Sequence, residues 1–141
     1  MLSSMKETLI ERIKRHEGLR LRPYRDSLGN ASIGYGHFLR IPISENAALT
    51  ILRNDIANAC LAAYNLPAAV ISAGGITEGR KEVLIEMIFN LGFHGVLGFK
   101  RMLKAIEKED FDLAAREMLD SLWALQVKDR ARELADIMRE G

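Results

Sequence analysis

The sequence predicts an α+β fold, mostly α: a helical body with one small β-hairpin sheet inserted after the first helix. Three observations carry this. Apolar residues recur at helical spacing up to Glu17 and again over most of the chain after Pro42. Between Leu19 and His37 the period shifts to alternation, and turn residues punctuate that window into two short strands. The 141 residues, 48% apolar and 28% charged, suit one globular domain over 1–141. A domain of that size buries roughly 68% of its unfolded surface, so its core needs neither disulfide nor metal.

The elements follow in order. Ser4 and Glu7 have the form of a capping box, and Met5, Leu9, Ile10 and Ile13 follow at helical spacing. A first helix is therefore expected from about Met5 to His16 or Glu17, stopped by Gly18, since glycine readily takes the left-handed conformation past a helix end. Leu19-Arg20-Leu21-Arg22 alternates, Ser27-Leu28-Gly29-Asn30 supplies a turn, and Ala31 to His37 reads as a second strand. Pro23 lacks an N–H for the ladder, which makes its strand an edge. The β subregion thus covers about 19–40, between helical residues 1–18 and 44–141. Ser44 caps a helix with the stripe Leu49, Leu52, Ile56, Cys60 and Ala63, ending before Pro67. The next, from about Glu78 to Leu91, buries Val83, Leu84, Met87, Ile88 and Leu91 and ends at Gly92. Three more follow: one around Phe99 to Glu107, one carrying Phe111, Ala114, Ala115, Met118 and Leu122 on one face, and one from about Asp129 to Arg139. A groove between sheet and body is the expected ligand site, because concave boundaries between substructures are where such sites form.

Composition narrows the function classes. The single Cys60 permits no intramolecular disulfide and reads as a small core residue. Glu7 and Glu11 interrupt any signal-like apolar run, and no stretch approaches the ~20 apolar residues of a membrane span. The expectation is a protein that is cytoplasmic as synthesised, without stable membrane association. His16, His37 and His94 show no metal-ligand spacing, so no metal is expected. The net charge of +1 conceals a cluster: from Arg12 to Arg25 six Lys or Arg residues stand against one acid, Glu17. Such a cluster suits a polyanionic partner or a solvated face.

Glu17, at the negative pole of the first helix, is followed nine residues later by Asp26 in a polar turn. An acid and a base in unlike surroundings are what cleavage of an acetal requires. The pair alone is not distinctive, because such spacings are common; the wider string is. Glu17-Gly18, Asp26, Ser32 and Ile33-Gly34-Tyr35-Gly36-His37 resemble the lysozyme family of the T-even bacteriophages and related phage and prophage endolysins, in spacing throughout. The resemblance extends over Leu84 to Gly92, Gly95-Val96-Leu97-Gly98-Phe99, Ala114-Ala115, Ser121-Leu122-Trp123, Gln126 and Arg130-Ala131, nearly the whole chain.

The resemblance implies a lysozyme-like fold with Glu17 as general acid, Asp26 as base or nucleophile, and Ser32 placing the attacking water. It further implies substrate contacts at Phe38, Phe89, Asn90 and Arg130, the last at the position of an arginine that pairs with the family's catalytic glutamate. It gives His37 a structural ion pair with Asp55 rather than a catalytic part. Ser32 stands where Thr is usual, Asn90 where Gln is usual, and the segment 38–44 is shorter than in the T-even enzymes. The function implied is hydrolysis of the β-1,4 bond between N-acetylmuramic acid and N-acetylglucosamine. The partner would be the peptidoglycan glycan strand and no nucleic acid, the chain a monomer needing no cofactor, and release to the wall the work of another agent such as a holin. Two alternatives stand beside it: a lytic transglycosylase, and a non-catalytic basic module that binds cell wall or nucleic acid.

Overall fold

The computed structural model describes residues 7–141. Among them are nine helices and a three-stranded antiparallel sheet, an α+β architecture that is mostly α. The chain resolves into two compact units, 1–48 and 49–141.

In the first unit, α1 spans Leu9–Glu17. The Ser4 cap lies outside the described residues, and Glu7 pairs with Arg15 instead, two 2.9 Å bonds joining carboxylate and guanidinium. The capping box sits four residues later: Thr8 Oγ1 accepts from Glu11 N at 3.2 Å, and Glu11 Oε2 accepts from Thr8 N at 2.9 Å. Thr8-x-x-Glu11 repeats the pattern of Ser4-x-x-Glu7, so the same physics operates one turn further on. Gly18 stops the helix, with φ +70° and its N–H on Lys14 O at 2.9 Å.

The sheet corrects the hairpin. Strand β1 (Arg20–Arg25) pairs with β2 (Ala31–Gly34), and β2 pairs with a third strand, β3 (His37–Phe38). The expected second strand is split because Gly34 and Gly36 both adopt positive φ, +73° and +83°, which extended backbone does not allow. The order β1-β2-β3 makes β1 an edge, as Pro23 requires, and the pairing slips between Arg20 and Tyr24, where the proline stands.

Helix α2 (Glu45–Ala63) starts at Ser44, whose Oγ accepts from Ala47 N at 3.1 Å. Of its expected stripe, Leu49, Leu52 and Ile56 are exposed. Burial falls at the C-terminal end, where Ala59 is in the core and Ala62 and Ala63 pack against it.

The rest of the second unit is one helical cluster. A short α3 (Ala68–Ile71) follows Pro67, and α4 (Glu78–Leu91) runs from its Thr77 cap to Gly92, burying Val83, Leu84, Met87 and Ile88. The glycine-punctuated segment after it forms a short helix, α5 (Phe93–Leu97), before α6 (Lys100–Glu107). The helix expected through Phe111 and Leu122 is two: α7 (Phe111–Leu119) and α8 (Leu122–Val127). Ser121 makes the break, its hydroxyl donating to Met118 O at 2.7 Å and accepting from Ala124 N at 3.1 Å. These bonds close one helix and open the next. The final α9 (Asp129–Glu140) packs on α7 through Ala114, Ala115, Ala131 and Ala135, all fully buried, whose small side chains let the helix axes approach closely. Met87, Met102, Met118 and Met138 fill the space around them, each contributing about 1.5–3 kcal/mol by leaving water.

Arg80 ties this cluster together. It donates to Gly75 O at 2.7 Å, Met138 O at 2.7 Å and Arg139 O at 2.9 Å, while its guanidinium lies 3.7 Å from the centroid of the Phe111 ring.

Candidate active site

Within the first unit the two carboxylates are held in different ways. Glu17 is the last residue of α1, and Gly18 turns the chain away beneath it. Its carboxyl end lies against Gly36, so close that a Cβ built there would stand 2.8 Å from Glu17 Oε2. Three residues earlier on α1, Lys14 Nζ sits 5.3 Å from the centroid of Tyr35. The C-terminal turn of α1 is thus seated on the turn between β2 and β3. Glu17 makes no hydrogen bond or ion pair among the described residues.

Asp26 is built into the hairpin turn. Its Oδ1 accepts from Leu28 N at 2.9 Å and Asn30 N at 2.8 Å, while its own N–H donates to Asn30 O at 2.9 Å. Arg25 Nη1 adds a 2.9 Å bond to Gly29 O. This is an Asx turn in which the side chain substitutes for a backbone acceptor. One oxygen is committed to the main chain; Oδ2 engages no group among the described residues.

Ser32 lies on the central strand, opposite Tyr24 of β1 and Phe38 of β3. It is fully buried, and its Oγ finds no hydrogen-bond partner among the described residues. Leaving such a hydroxyl unpaired costs about 1–3 kcal/mol. Phe38 is 38% exposed.

The other candidates belong to the second unit. Phe89, 42% exposed, shares a cavity of about 650 Å³ with Leu52, Ile56, Ile85, Glu86 and Arg130. Arg130 is paired there: its Nε donates to Glu86 Oε2 at 2.8 Å. Asn90 faces a different neighbour, its Oδ1 accepting the indole N–H of Trp123 at 2.7 Å. Trp123 is buried in the core and meets Phe99 edge to face. The Asn90–Trp123 bond joins residues 33 apart, and no local pattern announces it. The nearness of Gly36 to Glu17 is likewise a contact between residues far apart in sequence, and a second glycine two residues after Gly34 is its visible trace.

The sequence pattern of the phage lysozyme family matches residues 14–136, a stretch that includes every candidate above. The chain is similar to probable T4-type lysozyme 1 of Dictyostelium discoideum, 27% identical over an alignment of 168 positions that covers all of this chain and 96% of that protein. It is similar to the endolysin of Acyrthosiphon pisum secondary endosymbiont phage 1, 30% identical over 76% of this chain and 72% of that protein. The pre-baseplate central spike protein Gp5 of Enterobacteria phage T4 is 28% identical over 95% of this chain, which spans 28% of that longer protein. With a match running from within α1 to within α9, the chain belongs to the phage lysozyme family and so to the glycoside hydrolases.

Proposed function

We propose that this protein hydrolyses the β-1,4 bond between N-acetylmuramic acid and N-acetylglucosamine in peptidoglycan, with Glu17 as general acid and Asp26 as general base. The observation that carries this division of roles is the contrast in how the two carboxyl groups are held. Asp26 is pinned through Oδ1 by two main-chain N–H groups, which leaves Oδ2 in a fixed orientation. A base acting on water, or a nucleophile, needs that fixity. Among the described residues, no side chain is hydrogen-bonded to Glu17 to compete for the proton it would deliver to the leaving oxygen.

We assign Ser32 to placing the attacking water because it stands at the family's hydroxyl position, with its Oγ engaging no hydrogen-bond partner among the described residues. A water on that path lets Asp26 act as base and gives inversion at the anomeric carbon. We assign sugar contacts in the first unit to Phe38 and in the second to Phe89, to Asn90, whose amide N–H donors are not used in its bond from Trp123, and to Arg130, which lines the cavity beside Phe89. Two carboxyl groups suffice for this chemistry, so it calls for no cofactor.

Digestion of purified cell walls tests the proposal. New reducing ends at N-acetylmuramic acid, released first as the inverted anomer by NMR, are the expected product. Anhydro-sugars would make the protein a lytic transglycosylase, and binding to walls without release of sugar would make it a non-catalytic module.

A further inference from the structure

Gly36 meets two separate demands. Its φ of +83° lies in the left-handed region, and an added Cβ would stand 2.8 Å from Oε2, 2.9 Å from Cδ and 3.3 Å from Cγ of Glu17. Ordinary van der Waals contact begins at 3.4 Å, so the end of the Glu17 side chain rests on bare main chain. The adjoining Tyr35 meets Lys14, three residues before Glu17 on α1, so the contact belongs to a seated turn rather than to one side chain. We propose that Gly36 is a positioning residue for the general acid: its missing side chain sets where the Glu17 carboxyl stands. This rests on the reading of Glu17 as the acid.

A Cβ at residue 36 would push the carboxyl back by about 0.6 Å to regain ordinary contact, beyond the ~0.5 Å within which catalytic groups must be held. A proton donor has to lie within about 2.6–3.2 Å of the oxygen it protonates, and a misplacement of about 1 Å can lower rate by 10²-fold.

Gly34 supplies the control. Its φ is +73°, and a Cβ there meets nothing within 4 Å, so Gly34→Ala carries the backbone strain without the collision. On soluble glycan fragments, Gly36→Ala should lower kcat by about 10- to 100-fold with KM within about twofold, while Gly34→Ala keeps kcat within about threefold of wild type. Thermal unfolding gives a readout independent of activity. Gly36→Ala should lower Tm only slightly more than Gly34→Ala in the wild-type background, since the atoms displaced are the end of a side chain that can give at small cost, and this excess should vanish in a Glu17→Ala background, where the carboxyl is gone. Equal loss of kcat by the two glycine variants would overturn the proposal, as would an excess Tm loss that persists without the Glu17 carboxyl. If Glu17→Gln instead hydrolyses walls as wild type does, Glu17 is not the acid; the Tm comparison still decides whether Gly36 seats its side chain.

Discussion

Asp26 holds a turn and is proposed to act as the base, and a pair of substitutions separates the two. Its carboxylate holds the β1–β2 turn through bonds from Leu28 N and Asn30 N to a single oxygen. Asp26→Asn keeps a carbonyl acceptor in the place of Oδ1 and removes the charge; Asp26→Ala removes both. A hydrogen bond of this kind nets about 0.5–1.5 kcal/mol, so Asp26→Ala should weaken the turn by about 1–3 kcal/mol and Asp26→Asn by less than about 1 kcal/mol. Amide hydrogen exchange reads this locally. In Asp26→Ala the Leu28 and Asn30 N–H groups should exchange roughly 5- to 150-fold faster than in wild type, since about 1.4 kcal/mol corresponds to a factor of ten. In Asp26→Asn they should stay largely protected while wall hydrolysis falls by at least about 100-fold, the loss expected for a missing base. If Asp26→Asn loosens the turn as much as Asp26→Ala, the loss of activity would be structural. If it clears walls within about threefold of wild type, Asp26 is not the base.

Two further outcomes follow from the ion pairs and caps. Arg80→Ala removes three bonds to main-chain carbonyls and the stacking on Phe111, and should cost the second unit about 3 kcal/mol, with much of the loss at the part-buried Met138 carbonyl. Urea unfolding followed by fluorescence of Trp123, the chain's one tryptophan, measures it, and a loss below about 1 kcal/mol would contradict the role given to Arg80. The second outcome concerns acid. The Arg15 guanidinium holds the Glu7 carboxyl below its ordinary value of 4.5, and the Thr8 N–H and hydroxyl do the same for Glu11. A carboxyl lowered in the folded state contributes its stability in full above its unfolded value and loses it as pH falls through the folded one. Protection factors of α1 amides should therefore decline as pH drops below 4.5, and less so in a Glu7→Gln, Glu11→Gln double variant; pH-independent protection would count against both contacts.

Much of the fold was legible because its determinants are local. Thr77 and Gly92 bracket α4, Ser44 opens α2, Gly18 closes α1, and each acts on backbone groups within a few residues. What escaped was decided either by one residue with two uses or by distant contact. Ser121 interrupts an apolar face that reads as continuous, because its hydroxyl serves the end of α7 and the start of α8 at once. Gly34 and Gly36 look like strand glycines until their positive φ values divide the strand. For the site, the Glu17 and Asp26 spacing alone was not distinctive, and it was the resemblance to the phage lysozyme family that pointed to Glu17, Asp26 and Ser32. How each is held was not readable: the Asx turn at Asp26, the bare main chain under Glu17 and the indole on Asn90 depend on where the folded chain brings main-chain N–H groups, a glycine and a tryptophan.

The central claim is that Glu17 delivers the proton that breaks the glycosidic bond. Clearing of a purified cell-wall suspension by wild type and by Glu17→Gln, at matched folded protein, tests it most directly, because the substitution keeps the side chain's size and removes its acid proton. The account predicts clearing by wild type and a loss of at least about 100-fold in Glu17→Gln. Equal clearing by the two proteins would contradict it.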